Sequence, residues 1–430
     1  MRLFYLRVCL TAFALLAGRS ASAALPSLSA GSHHTCSLNA GRLACWGFNA
    51  SGQLGVGDVR DRGSQSRPGL AGLQPAGLGP LVEVAAGGLH TCARDAAGQV
   101  ACWGDNAQGQ LGLGDNLPRT TAAHDTRVDL GGDRRAAAVA TSTGRWDGHT
   151  CVILTDGEVL CWGDNDEGQL GLGHHRSVGM QQQGPSALAE TSTVALPAGR
   201  RARQLALGAH HTCALLDDQS LRCWGQNRGQ LGLGDGRDRG GSGASMAALK
   251  AVDLAGQAVL AVSAGEAHTC ALLDDGSINC WGDNRAGQLG LGDRQPRSAP
   301  RASGGADARV ALAPGHRAVA VACGLQHTCA LLDDGSVQCW GDNHGHLGTG
   351  DRVAYGAQPD TLGAALPRIA LAGPAAALTA GGHHTCAILR DGGVQCWGMN
   401  LHGQLGLGDT RPRGLQADDM GDNLPRLRLP

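Results

Sequence analysis

The stretch AHTCALLDDGSINCWGDNRAGQLGLGD, residues 267–293, contains two short apolar runs on either side of an Asp-Asp-Gly step. This pattern is typical of a β-hairpin, because Asp and Gly favour the tight turn between two strands. Opposed hairpin residues bring their Cβ atoms to about 4.5–5.5 Å, close to the reach of a disulfide. The two cysteines of the stretch are therefore expected to face each other.

The related hairpin at 327–341 shows the expected register. A turn centred on Asp334 pairs Cys329 with Cys339, Thr328 with Trp340 and His327 with Gly341. Because side chains alternate along a strand, Thr328 and Trp340 share one face, and the histidine lies on the other face with the cysteines.

The hairpin unit recurs seven times along the chain. Each unit has His-Thr-Cys before the turn and Cys-Trp-Gly after it. A near-constant spacing between such units is a signature of a repeat architecture. The repeat cores lie near 31–58, 86–115, 145–173, 207–235, 264–293, 323–351 and 380–409.

Two further apolar runs precede each typical hairpin. One is AVAVACG at 318–324, and the other is a shorter run such as RVAL at 309–312. Four short strands in each of seven units predict an all-β fold, a seven-bladed β-propeller of four-stranded blades. The sequence RLRL at 426–429 is expected to complete the first blade, which contains Cys36, since an unclosed ring would expose sheet edges.

The segment 1–23 is predicted to be a secretory signal peptide. Arg2 and Arg7 flank a short charged start, VCLTAFALLAG follows, and Ala21-Ser22-Ala23 resembles a cleavage site. No run reaches the roughly 18 apolar residues that a membrane-spanning helix needs. We therefore expect one propeller over 24–430, without a membrane span, secreted or periplasmic.

Composition argues against a nucleic-acid partner. The formal net charge is −2, only 17% of residues are charged, and Lys250 is the single lysine. A nucleic-acid interface needs a clustered basic surface, which this pattern does not predict.

The repeat HTCALLDDGSINCWGDNRAGQLGLGD resembles that of the regulator of chromosome condensation family, over about 31–430. The resemblance implies a seven-bladed propeller and, as in the nuclear member, an exchange factor for the small GTPase Ran that docks on nucleosomes. The predicted signal peptide, the hairpin cysteines and the lack of a basic tail depart from that member. The chain is more similar to secreted bacterial propellers with this repeat, one of which inhibits β-lactamases.

The paired cysteines favour disulfides over metal ligation, since no C-x-x-C pair occurs and export favours oxidation. Cys323 is left as a free thiol, for which a buried, inert state is preferred to a reactive one. The predicted pairs are Cys36–Cys45, Cys92–Cys102, Cys151–Cys161, Cys213–Cys223, Cys270–Cys280, Cys329–Cys339 and Cys386–Cys396.

The other polar motifs are explained by the scaffold. One histidine per unit is expected to make structural hydrogen bonds, because histidines on different blades are too far apart to share a metal unless they line a narrow axis. The Asp-Asp-Gly carboxylates fit turn geometry better than paired catalysis. DNDEG at 164–168 lacks the final Glu of a calcium loop. GQLGLG opens no helix and suits a backbone turn.

We therefore predict no metal, no cofactor and no enzymatic activity. A catalytic site assembled from residues of separate blades would leave no linear motif in the sequence.

Unit three departs most from the repeat, and irregular loops often carry function. Its connection at 174–203 is the longest and has His174-His175 in place of the usual Gly-Asp. Trp146 precedes its hairpin. This tryptophan either anchors a protein interface or fills the gap left by the Ala-Gly step that this unit lacks. The predicted partner-binding residues are Trp146, His174, His175, Arg200 and Arg201.

The sequence predicts an exported, monomeric, non-enzymatic scaffold that binds an unknown protein partner, as an inhibitor or an adhesion module. One alternative is the GTPase regulator that the family resemblance implies. Another is a hydrolase or lyase with its site on the propeller face. Location separates the first two hypotheses, because export would remove an exchange factor from cytosolic GTPases.

Overall fold

This computed structural model describes residues 25–64, 78–144, 148–180, 188, 193–243, 246, 248–300, 309–427 and 429. The predicted signal peptide and Trp146 lie outside these residues. No helix of the described part is long and apolar enough to cross a membrane.

The described residues form seven antiparallel sheets of three strands each. We number these sheets as blades one to seven in chain order. The strands are β1 (Ser27–Ala30), β2 (His34–Asn39), β3 (Arg42–Gly47), β4 (Leu81–Ala86), β5 (His90–Asp95), β6 (Val100–Gly104), β7 (Ala136–Thr141), β8 (His149–Leu154), β9 (Val159–Gly163), β10 (Ala202–Leu207), β11 (His211–Leu216), β12 (Leu221–Gly225), β13 (Val259–Ala264), β14 (His268–Leu273), β15 (Ile278–Gly282), β16 (Ala318–Cys323), β17 (His327–Leu332), β18 (Val337–Gly341), β19 (Ala375–Ala380), β20 (His384–Leu389) and β21 (Val394–Gly398). Short 3-10 segments lie at His124–Thr126, Pro359–Thr361, Gly363–Ala365 and Ala417–Asp419.

The predicted hairpin register is confirmed. In blade six, Cys329 pairs with Cys339, Thr328 with Trp340 and His327 with Gly341. The structure joins the seven predicted cysteine pairs as disulfides within their blades. Cys323 is a free, buried cysteine.

The first strand of each blade lies on the inside of a closed ring. Consecutive inner strands contact each other from β1 through β19, and β19 contacts β1 again. The apolar core lies between adjacent sheets. One cluster, for example, joins Cys270 and Ile278 of blade five to Ala330 and Trp340 of blade six. Radial repetition of this kind protects sheet edges.

The fourth position of a blade is occupied by isolated pairings rather than a full strand. The run RIAL at 368–371 is a copy of the shorter run, which the sequence assigns to the hairpin that follows it. Instead, the Ile369 N–H donates to the Val337 carbonyl of the preceding blade at 2.8 Å. Blades two to five make the same pairing through Val128, Val194, Val252 and Val310.

The prediction that residues 426–429 complete blade one by strand pairing is wrong. The Leu427 N–H donates to the Val394 carbonyl at 2.8 Å, which places the C-terminal segment on the outer edge of blade seven rather than in blade one. The physical reason is that RLRL is a further copy of the outer run, and in blades two to six the outer run pairs with the hairpin that precedes it in the chain. The Leu427 side chain, however, belongs to the same apolar cluster as Trp46 of blade one.

A tryptophan fixes each blade to the one before it. The Trp46 indole N–H of blade one donates to the Gln404 carbonyl after blade seven, at 2.9 Å. The other six indoles make the equivalent bond to the preceding blade. All seven side chains are fully buried: Trp46, Trp103, Trp162, Trp224, Trp281, Trp340 and Trp397.

Candidate functional site

The repeated histidines form a continuous ring of hydrogen bonds between blades. His268 Nε2 of blade five, for example, lies 3.0 Å from Thr328 Oγ1 of blade six. The remaining pairs are His34–Thr91, His90–Thr150, His149–Thr212, His211–Thr269, His327–Thr385 and His384–Thr35. The predicted structural role of these histidines thus takes the form of a closed His–Thr ring.

The hydrogen-bond roles fix the histidine tautomer. Thr328 Oγ1 donates its single proton to the Gln288 carbonyl at 2.9 Å, so it accepts the proton on His268 Nε2. Burial lowers the pKa of His268 to about 4. Each ring histidine is therefore neutral at pH 7, and the ring supplies rigidity rather than a reactive base.

The histidine end of each sheet, where the second strand begins and the third ends in glycine, is called here the histidine face. The opposite end, with the Asp-Asp-Gly hairpin turns, is called the turn face. The repeat is broken on the histidine face where blades seven and one meet. His33, Phe48, His383 and His402 come together there, and we call these four residues the histidine patch.

The patch consists of half-exposed rings in mutual contact. The Phe48 and His402 ring centroids lie 4.6 Å apart in an edge-to-face arrangement. His33 lies 5.8 Å from His383 and 5.9 Å from His402, measured between ring centroids. His402 Nδ1 is 2.8 Å from an Asp61 carboxylate oxygen, which orients its ring. The arrangement offers aromatic surface together with hydrogen-bonding groups.

Blade six has another departure from the repeat, a buried residue that contacts the patch. His346 occupies the position at which the other units have a glutamine, and its carbonyl accepts the Trp397 indole N–H at 3.1 Å. Its buried ring lies 4.5 Å from that of His327 and 5.9 Å from that of His383, between centroids. Burial, followed by the neighbouring His383 and His344, lowers the pKa of His346 to about 3.

Sequence reasoning missed the histidine patch. The signal in the sequence was Phe48, which replaces the aspartate of most other units, whereas a histidine before the ring histidine occurs at His33, His210 and His383 and does not single out the patch. The residues of the patch belong to the first and last units, and only ring closure brings them together.

The predicted histidines of unit three make scaffold contacts. His174 alone takes the place of the aspartate, and Gly173 is kept, so the prediction that the two histidines replace Gly-Asp is wrong. The His174 Nδ1 accepts the Arg176 N–H at 3.2 Å, and its carbonyl accepts from Asn165. His175 is exposed, and its ring covers Gly241 of the next unit.

Arg200 and Arg201 lie on the turn face, away from the two histidines. Arg200 Nε is 3.1 Å from an Asp218 carboxylate oxygen, and the aliphatic part of Arg201 covers Gly157. The structure therefore separates the predicted residues into two groups, one on each face. Their role in partner binding stays a prediction.

The environment of Cys323 favours an unreactive thiol. The residue is 4% exposed, and its Sγ lies 3.5 Å from the Ser263 carbonyl oxygen. Burial raises the pKa of Cys323 to about 12, which removes the thiolate that reactivity requires.

The fold and the His–Thr ring define the protein as a seven-bladed propeller built from one hairpin repeat. Residues 64–420 match the RCC1-like domain. The ultraviolet-B receptor UVR8 of Arabidopsis thaliana is 30% identical over 396 residues, which cover 90% of this chain and 79% of the receptor. The chain belongs to the RCC1-like domain family, whose propellers are protein-interaction scaffolds.

Solved structures agree with this fold. Human WBSCR16 matches with a TM-score of 0.67 and 23% identity, over 90% of this chain and 95% of that one. Yeast RCC1 (Prp20), solved with Kap60, matches with a TM-score of 0.65 and 20% identity, over 98% of this chain and 91% of that one. At these identities the likeness concerns the fold alone.

Proposed function

We propose that the protein is an exported, non-enzymatic scaffold that binds a protein partner through the histidine patch. The observation that carries this proposal is the contact between Phe48 and His402, two half-exposed rings 4.6 Å apart on the histidine face. In blades two to six, aspartate or glutamine stands at the position of Phe48. Departures from a repeat are the positions that the scaffold itself does not explain.

The chemistry of the patch suits a protein partner. Aromatic side chains are enriched in the desolvated centres of protein interfaces, where they supply large contact areas. Phe48 offers an apolar ring, and the neighbouring imidazoles can donate or accept hydrogen bonds. The scaffold beneath is rigid, because the His–Thr ring and the buried tryptophans tie the blades together. A preorganised surface loses little entropy on binding.

Export is supported by the disulfides. Seven cysteine pairs joined within blades suit an oxidising compartment, where such bonds persist. The predicted signal peptide at 1–23 would deliver the chain there.

We further propose that the scaffold acts as a monomer. We also propose that it binds no nucleic acid, since its formal net charge is −2. Exchange on a GTPase would require a cytosolic chain and has no support from a residue that the structure describes.

The partner is tested by affinity capture from the native envelope or medium, with mass-spectrometric identification. The bait is compared with a variant that carries Phe48→Ser and His402→Ser. We expect at least tenfold lower recovery of the partner with the variant. The matched control carries Leu260→Ser and Val319→Ser, because both residues are 41% exposed and lie at the turn face.

Thermal melting checks that both variants remain folded. The control should recover the partner as the natural sequence does. Equal recovery by the folded patch variant would show that the partner binds elsewhere. Detection of the full-length chain in the cytosol, with reduced cysteines, would overturn the proposal of export.

A further inference from the structure

An arginine–aspartate pair recurs at the turn face of three blades. In each case the outer run supplies the arginine and the hairpin turn supplies the aspartate. The N–O distances are 2.8 Å for Arg309–Asp275, 2.6 Å for Arg368–Asp334 and 2.5 Å for Arg426–Asp391. Each arginine is thereby neutralised by its own blade.

Blade two keeps the arginine and lacks the aspartate. Its outer run begins with Arg127, but its turn has the exposed Ala97 at the position of Asp275. Arg127 donates instead to the neutral Gln99 side chain. Blades five, six and seven compensate this positive charge with an aspartate of their own turn, whereas Arg127 has no carboxylate partner among the described residues.

Two more arginines face the same space. A cavity of about 330 Å³ between the edge of blade two and the entry to blade three is lined by Arg127, Arg134 and Arg135. Arg134 and Arg135 are half-buried. Within the described residues, no carboxylate forms an ion pair with any of the three, and their hydrogen bonds go to backbone carbonyls or to Gln99.

The cavity retains an excess of positive charge. Asp129 is the carboxylate in its lining, and one of its oxygens accepts the Gly131 N–H at 2.9 Å. Three arginines and one aspartate therefore line the cavity. Guanidinium forks match the paired oxygens of phosphate and sulfate, and they remain charged at any physiological pH.

We propose that this cavity binds a tetrahedral oxyanion, namely a phosphate or sulfate group. Arg127 and Arg134 are its main ligands in this proposal, and Arg135 adds positive charge to the lining. The group is either a free inorganic anion or an ester carried by a larger molecule. The site lies on the turn face, so it is separate from the histidine patch.

The test is titration calorimetry of the mature protein at low ionic strength, with inorganic phosphate, inorganic sulfate and glucose 6-phosphate as probes. We expect saturable binding that weakens with added salt, since exposed charges are screened. The variant with Arg127→Gln and Arg134→Gln should lose at least tenfold in affinity. Tighter binding of glucose 6-phosphate than of phosphate identifies an ester ligand, whereas equal binding identifies the free anion.

Two further variants make the test specific. Ala97→Asp places beside Arg127 the aspartate that blades three to seven have at this turn position. We expect it to reduce anion affinity by a similar factor without lowering the melting temperature. The matched control is Arg368→Gln, which removes the same arginine from blade six and should leave anion affinity unchanged. Absence of binding by every probe would overturn the proposal. Binding that survives the double arginine substitution, or is lost equally in the control, would also overturn it.

Discussion

His384 Nε2 donates to Thr35 Oγ1 across 2.8 Å, and the two residues lie 349 positions apart in the chain. This bond is the seventh member of the His–Thr ring and connects the last blade to the first. Thr35 Oγ1 also donates to the Gln404 carbonyl at 2.9 Å, so one hydroxyl holds two segments of blade seven. The ring is closed by the same contacts that join every other pair of blades.

The substitution Thr35→Val should therefore destabilise the whole propeller. The variant keeps the side-chain volume but leaves the His384 Nε2–H and the Gln404 carbonyl with one partner fewer. An unsatisfied buried polar group costs about 1–3 kcal/mol. Urea unfolding of the variant and of the natural sequence measures the difference. A change below about 0.5 kcal/mol, which is the size of an ordinary surface substitution, would show that the bond does not support closure.

The glycine three residues before the ring histidine, present in every blade except blade three, should not tolerate a side chain. A Cβ at Gly265 would lie 2.2 Å from His268 Cε1 and 2.4 Å from the Gly324 carbonyl. We expect Gly265→Ala to cost about 1–3 kcal/mol, as overpacking does. Gly236→Ala is the control, because its nearest atom would be 3.7 Å away. Equal melting temperatures for the two variants would contradict this role.

Stability should fall steeply in mild acid. Burial holds the pKa of six ring histidines at about 3 or about 4, and that of His327 well below its usual value. Unfolded histidines titrate near 6.5, so below that pH the unfolded chain binds more protons. Stability is thus complete above about pH 6.5 and is lost as the pH falls toward the folded pKa values.

Urea unfolding at pH 8, 7, 6 and 5 measures this dependence. We expect a constant midpoint from pH 8 to 7, a falling midpoint below pH 6.5, and unfolding before pH 4. Buried carboxylates would act mainly at lower pH, because unfolded Asp and Glu titrate near 4. A midpoint that is unchanged between pH 7 and 5 would show that the ring histidines are accessible to protons when folded.

The hairpin disulfides should each contribute to stability. Replacing Cys329 and Cys339 together by alanine should cost about 2–3 kcal/mol, on the chain-entropy estimate for a loop of this length. Peptide mapping without reductant should recover seven intra-blade pairs. Cys323 should react with iodoacetamide only after unfolding. Rapid labelling of the folded protein at Cys323, or links between blades, would disprove this assignment.

Local features could be predicted from the sequence, and features created by closure could not. The register of Cys329 opposite Cys339 follows from turn chemistry within a few residues. The run that contains Ile369 belongs to blade six because it pairs with Val337. Its alternation of residues is equally compatible with pairing to the hairpin that follows it. The histidine patch depends on Asp61 and His402, which lie 341 positions apart, so no local pattern reports their contact.

The C-terminal segment should stabilise the first blade by packing rather than by strand pairing. Leu427 is 9% exposed and shares an apolar cluster with Trp46 and Leu405. Ile369 has the same relation to Trp397, since both belong to one buried apolar cluster. In blades two to seven, the outer run thus pairs with its own blade and packs near the tryptophan of the next.

Leu427→Ala should therefore cost about 2–4 kcal/mol, as large-to-small core substitutions do. Ile369→Ala, the internal equivalent, should cost a similar amount, and Leu401→Ala is the exposed control at 62% accessibility. Deletion of 421–430 should lower the melting temperature further, because it also removes the hydrogen bond to Val394. If Leu427→Ala melts like the Leu401→Ala control, the last residues do not complete the ring, and Trp46 must be covered by another part of the chain.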